Sequence, residues 1–247
     1  MFGLNSRYRV CELFGIPVYV NSSFLFLLAI FVLNMGSFSY GVSFALMLAI
    51  SVTAHELAHA LTARAFGYRT NDITLSLLGG CASLIALPRK AWQELLTAIA
   101  GPLMSFAIAG GVLMLDVLRV PIESVYVLEM LRYVFYMNLM LGAFNLLPGF
   151  PMDGGRIFRS VMRLFTDRAK ATYVAMIVGR VFAVLLALKG LWSVVNGGTF
   201  GFVTMLIAWM IWREGHREYL AAKEEEDFRR WSQDDFNARV SPPPYGR

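Results

Sequence analysis

The chain has 247 residues, 57% of them hydrophobic, with a mean hydropathy of +0.57 and a formal net charge of +5. A soluble domain is about 45–50% apolar, so this composition excludes an ordinary soluble globule and points to an integral membrane protein with a single membrane domain. No basic cluster interleaves with aromatic residues, which argues against nucleic acid as a partner and assigns the positive balance to membrane topology.

In chain order, residues 1–21 read as a cytosolic N-terminal segment carrying Arg7 and Arg9. Alternating apolar residues after Gly15-Ile16-Pro17 suggest a short strand at the membrane surface, with an extended leader as the alternative. No cleavable signal peptide is expected. Ser22 to Phe38 is the first expected span, and Gly41 to Phe66 the second. The second is long enough to cross a hydrocarbon core of ~30 Å with some tilt. Residues 67–90 are too polar to span. Two β-prone runs, Ile73–Leu77 and Ser83–Leu87, flank Gly79-Gly80 and read as a membrane-associated hairpin. Such structure at membrane depth is tolerated only beside protein or a wet cavity.

Trp92 to about Arg119 is the third expected span, with Pro102 kinking it or lying in its first turns. Its small residues, among them Gly101 and Ser105, allow close helix contact. The fourth, Glu129 to Leu147, ends in a Pro- and Gly-rich break from Leu147 to Arg156. Helix resumes at Ile157 to Phe165. Thr172 to Leu191 and Phe200 to Trp212 give the fifth and sixth spans, and Arg180 has no explanation from sequence. Residues 214–247 read as a charged cytosolic tail, a surface helix followed by disorder, ending in Pro242-Pro243-Pro244-Tyr245. The fold class expected is thus an all-α polytopic membrane protein of about six transmembrane helices, with a short β-hairpin between the second and third. Its domains are 1–21, a membrane domain over 22–213, and the tail.

Charge sets the expected orientation. With the N-terminus in the cytosol and six crossings, 18 of the 22 Lys and Arg residues fall on the cytosolic side and 2, Arg119 and Lys189, outside. A multi-pass protein of the cell membrane with both termini cytosolic is expected.

Within the second span stands His55-Glu56-Leu57-Ala58-His59. Residues four apart share a helix face, so two imidazoles can bind one zinc ion while Glu56 takes a proton from water that the metal activates. Ionisable groups at that depth are costly and are rarely kept without a role. A catalytic zinc needs a third protein ligand. His216 falls in the tail, and Asp116, Glu123 and Glu129 fall toward the outer side; Asp153, at the helix break on the cytosolic side, matches the depth of the histidines. Asn145, two turns earlier, is suited either to hydrogen-bond an extended substrate or an oxyanion, or to pack between helices.

These motifs resemble the site-2 protease family of intramembrane zinc metalloproteases, over nearly all of the membrane region. His55–His59 is similar to its zinc motif, and Asn145 to Arg156 to its second signature, whose Asp is the third ligand. Shorter matches are Gly15-Ile16-Pro17, Gly79-Gly80-Cys81-Ala82 and Ala100-Gly101-Pro102-Leu103. The layout resembles the compact bacterial and archaeal branch related to the sporulation-factor processing protease. The resemblance implies Zn2+ as cofactor and cleavage of transmembrane clients near the cytosolic side, with the lipid bilayer and a membrane regulator as partners. The chain departs from the pattern in offering no room for a PDZ insertion, no paired CBS domains, and Ser105 where Asn is common. An extended substrate is expected to lie against the Gly79-Gly80 edge. The competing readings are a metal or ion transporter and a non-catalytic client-binding homologue.

Overall fold

The fold was analysed in a computed structural model, which describes residues 6–76, 79–84, 90–198 and 201–240. The chain divides into two compact units, residues 1–147 and 148–247.

The first unit begins with β1 (Arg7–Leu13) and β2 (Ile16–Asn21), an antiparallel hairpin in which Leu13 faces Ile16. Phe14 and Gly15 both have positive φ, 52° and 78°, as a tight two-residue hairpin turn requires. Two helices follow: α1 (Ser22–Asn34), capped by the Asn21 side chain, and α2 (Phe38–Ala65). The chain then forms β3 (Thr70–Ser76) and β4 (Gly79–Leu84). β2 and β3 pair in parallel, Val18 opposite Ile73 and Val20 opposite Leu75, giving one four-stranded sheet of order β1-β2-β3-β4.

The expected hairpin is therefore half of a larger sheet. Its Gly pair does not form the turn; Gly79 and Gly80 open β4 opposite Ser76 and Leu75. β3 pairs with β4 from Thr70 to Ser76, with a register shift between Thr70 and Asp72. The expected strand end at Ile85–Leu87 lies outside the described residues, as does Pro242–Tyr245.

β2 and β3 alternate buried and partly buried residues, so their inner face presents Ile16, Val18, Val20, Ile73 and Leu75 to Phe24 of α1 and to Val52 and Ala60 of α2. The sheet is thus a platform for the helix carrying the His-Glu-x-x-His motif. α2 ends in a Schellman turn, Tyr68 N–H to the Ala63 carbonyl and Gly67 N–H to that of Arg64. The Arg64 guanidinium donates to the Phe14 carbonyl at 2.6 Å, tying that end to the β1–β2 turn. α3 (Ala91–Val117) and α4 (Val125–Asn145) complete the unit. Pro102 lies well inside α3, not near its start. The buried Asn138 amide of α4 donates to Ser51 Oγ of α2 at 2.9 Å.

The second unit holds α5 (Asp153–Met162), α6 (Arg168–Val195) and α7 (Gly201–Val240). α6 and α7 form an antiparallel pair with small residues, Ala183 and Ala208, at their buried interface beside Ile211 and Met152. α7 continues without a break through residue 213 into the charged segment. Arg159, 1% exposed, donates to Glu218 at 2.8 Å, and Arg168 pairs with Glu225 at 3.0 Å.

Among the described residues four helices, α2, α3, α4 and α6, are long and apolar enough to cross a membrane. α1 is apolar but has only 13 residues, or ~20 Å at ~1.5 Å per residue.

Candidate metal centre

The buried stripe of α2 runs Ser51, Val52, His55, Glu56, His59, Ala60, Ala63, at helical spacing. His55 and His59 are 2% and 3% exposed and Glu56 is 9% exposed. Two imidazoles and a carboxylate at that burial require specific partners. The Nδ1 partner of each ring comes from α3. His59 Nδ1 lies 2.7 Å from the Thr97 carbonyl. A carbonyl only accepts, so Nδ1 carries the proton and Nε2 keeps its lone pair. His55 Nδ1 lies 2.9 Å from Ser105 Oγ. The hydroxyl can accept from Nδ1–H, which again leaves Nε2 as the ligand atom.

Between these two anchors lies Gly101. A Cβ built there would meet His55 Nε2 at 2.6 Å and His59 Cε1 at 2.5 Å, and would lie closer still to His59 Nε2. Both Nε2 atoms therefore converge on one point against bare backbone. A residue with any side chain would fill the space into which they point. Thr97, Gly101 and Ser105 are four apart on α3, as His55 and His59 are on α2, so each histidine meets one polar group with the glycine between. Pro102 removes a helix hydrogen bond next to this point, since it has no N–H to offer Ala98. Buried imidazoles with fixed Nδ1–H groups and converging Nε2 lone pairs are the donor set that zinc takes, and the residues present fit that ion.

The other sequence-derived residues lie on α4, β4 and α5. Asn145 is the last residue of α4, and its amide donates to the Leu141 carbonyl of its own helix at 3.0 Å. Gly79 and Gly80 lie at the start of the edge strand β4. Asp153, 7% exposed, opens α5 in the second unit, with Arg156 3.9 Å away. Sequence reasoning missed the roles of Thr97 and Ser105, and gave Gly101 only a general packing role. The four-residue spacing of these three positions, equal to that of the histidines, was the available signal.

Comparison with known proteins agrees with this geometry. The profile of peptidase family M50 matches residues 43–120 and 114–188, which include the His-Glu-x-x-His motif and Asp153. The Synechocystis sp. protein sll0528 is 33% identical over 255 residues, covering 97% of this chain and 66% of its own. Zinc metalloprotease MJ0392 of Methanocaldococcus jannaschii is 36% identical over 193 residues, covering 77% of this chain and 56% of its own. Rip3 of Mycobacterium tuberculosis is 37% identical over 190 residues, covering 75% and 46%. This chain thus spans about half to two thirds of the length of these relatives, all three of which carry zinc metalloprotease in their names. Among solved structures, the site-2 protease from Methanocaldococcus jannaschii superposes with a TM-score of 0.64 at 30% identity, covering 87% of this chain and 95% of that one. A profile that takes in both the histidine helix and the α5 segment, together with a shared fold at that identity, leaves one conclusion: the chain belongs to peptidase family M50 and has the site-2 protease fold.

Proposed function

We propose that the protein is a zinc-dependent intramembrane endopeptidase that cleaves transmembrane segments of client proteins near the cytosolic side. The observation that carries this reading is the convergence of the His55 and His59 Nε2 atoms on the Gly101 backbone, with Glu56 next in sequence on the same buried stripe. His55 and His59 would hold the ion, and Asp153 would be the third ligand. Asp153 is supported by its burial, by its place at the start of a helix after a Pro- and Gly-rich break, and by its inclusion in the matched family region. Zinc, when bound, supplies Lewis-acid polarisation of the scissile carbonyl and lowers the pKa of water at its open position toward ~7.

The chain's own residues do the rest. The Thr97 carbonyl holds the His59 ring in the tautomer that presents Nε2, and Ser105, with its hydroxyl accepting, does the same for His55. Glu56 takes the proton of the attacking water and returns it to the leaving amine. A client helix must first unwind, because its carbonyls are bonded and screened. β4 is an edge of the sheet, and main-chain groups of Gly79 and Gly80 offer an extended substrate a strand to pair with. Asn145 would steady that substrate or the oxyanion.

The first two of the six proposed crossings are supported by the sheet. β2 precedes α1 and β3 follows α2, yet the two strands are hydrogen-bonded neighbours and so lie on one side of the membrane. If α2 crosses, α1 must carry the chain across first, short as it is. With the excess of Lys and Arg on the same side, both termini, the sheet and the charged half of α7 face the cytosol. The partners are then a transmembrane client, the bilayer and a membrane regulator.

The deciding experiment is Glu56→Gln in reconstituted vesicles with a transmembrane client, with products mapped by mass spectrometry. The variant should retain zinc and lose cleavage by at least ~10²–10⁴-fold, the usual worth of general acid–base help. Helix-weakening Gly or Asn near the cytosolic end of the client should speed cleavage, and Leu there should slow it. Full activity of zinc-loaded Glu56→Gln would remove Glu56 as base. Metal uptake into vesicles without any cleavage would favour a transporter instead.

A further inference from the structure

Arg180 lies within α6, in an otherwise apolar stretch. Its guanidinium carbon sits 4.6 Å over the Trp212 ring, Nη2 is 3.4 Å from His216 Nδ1, and Nε is buried without a hydrogen-bond partner. Among the described residues no carboxylate pairs with it, whereas Arg159 and Arg168 of the same unit each have a glutamate of α7. Trp212 closes the apolar half of α7 and Arg213 opens its charged half; Arg213 in turn lies 5.3 Å over the Trp209 ring, also with no acidic partner among the described residues. Arg180 therefore sits level with the boundary between apolar and charged surface. Indole rings are enriched at that level in membrane proteins.

Beside Arg180 runs a groove of about 270 Å³ lined by Ile177, Val181, Val184, Leu185 and Trp212. Arg180 lines the groove with its aliphatic stem, the exposed lining being almost wholly apolar, and Val181, Val184 and Leu185 continue from it along α6 away from the charged half of α7. An apolar furrow running into the membrane, headed by an uncompensated cation at the interface, complements an anionic amphiphile.

We infer that this groove binds one anionic glycerophospholipid, its phosphate on the Arg180 guanidinium and an acyl chain along Val181, Val184 and Leu185. A guanidinium recognises a phosphate through paired N–H donors, and the stack on Trp212 limits the rotamers it must give up. A zwitterionic lipid brings its own ammonium into the neighbourhood of Arg213, whereas an anionic one brings none. Neither the metal centre nor the cleavage reaction is needed for this binding.

The test uses the full chain in nanodiscs of phosphatidylglycerol and phosphatidylcholine in equal amounts, followed by native mass spectrometry after bulk lipid is stripped. One retained phosphatidylglycerol, in preference to phosphatidylcholine, is expected. Arg180→Gln should lower that retention roughly fivefold, the usual worth of one interfacial cation, and Arg180→Lys should give an intermediate loss, since it keeps the charge without the paired donors or the stack. Val184→Trp, at a position 47% exposed, fills the groove while leaving Arg180 and its stack in place, and should abolish the adduct. Equal retention of the two lipids by the unmodified protein would overturn the inference. So would undiminished preference in Arg180→Gln or an intact adduct in Val184→Trp. Displacement of the lipid by millimolar inorganic phosphate would show a free-anion site instead, and would also overturn it.

Discussion

The Thr97 carbonyl fixes His59 in one tautomer, and Ser105 does the same for His55 only if its hydroxyl accepts. The two histidines are thus held by partners of different strength, a backbone acceptor that no substitution can remove and a side chain that one can. Ser105→Ala should weaken zinc binding ~10–100-fold, the range for loss of an outer partner of a ligating histidine, as read by competition with a chelating dye. Unchanged affinity would mean that His55 is oriented by packing alone. Gly101→Ala is the opposite kind of change. It adds one methyl at the point where both Nε2 atoms converge. Helix propensity favours Ala over Gly by ~1 kcal/mol, which offsets only part of the ~1–3 kcal/mol that overpacking against the two anchored imidazoles costs, so stability should fall modestly. Zinc content by elemental analysis should fall from about one per chain to near zero, as the missing Cβ is the space the ligand atoms use. At this scale the sequence was readable for residues whose chemistry is conspicuous, His55, Glu56 and His59. It was opaque for Gly101 and Ser105, whose roles depend on which face of α3 meets α2.

Among the elements, the sheet matters most to the centre because it backs α2. Ile73 is fully buried against that helix, while Val10 on β1 is 64% exposed. Ile73→Ala should cost about 2–4 kcal/mol and lower the melting temperature in detergent, whereas Val10→Ala should cost less than ~0.5 kcal/mol. Equal effects would mean that the platform does not support the helix. The long apolar helices were legible because an uninterrupted run of apolar residues has few other uses. β1 was not: Arg7–Leu13 mixes charged and apolar residues on a mostly exposed strand, and its pairing with β2 is set by the positive-φ turn at Phe14-Gly15. The hairpin's partners were also hidden, since the parallel contact of β2 with β3 joins segments 55 residues apart, Val18 and Ile73. Arg180, inexplicable from its own neighbours in sequence, gains a reason only from Trp212 and His216 on the next helix.

For the molecule as a whole, the orientation proposed above can be read by single-cysteine labelling, with Cys11 and Cys81 replaced by serine. A cysteine at Arg217 should react with a membrane-impermeant maleimide only after the cells are opened. One at Arg119 should react in intact cells, because Arg119 is one of the 2 basic residues assigned to the outer side. Labelling of the Arg217 position from outside would reverse the topology and move the metal centre toward the opposite face.

The parallel β2–β3 pair also constrains how the protein is made. β2 leaves the ribosome before either of the first two helices, and its partner is not synthesised until both are complete. At ~5–20 residues per second, the 55 residues from Val18 to Ile73 occupy about 3–11 s. Through that interval β2 has only β1 to pair with, and Ile16, Val18 and Val20 have no finished surface to cover. The platform beneath the histidines therefore closes only after both α1 and α2 have been synthesised. Assembly of the centre must wait on the sheet's last strands.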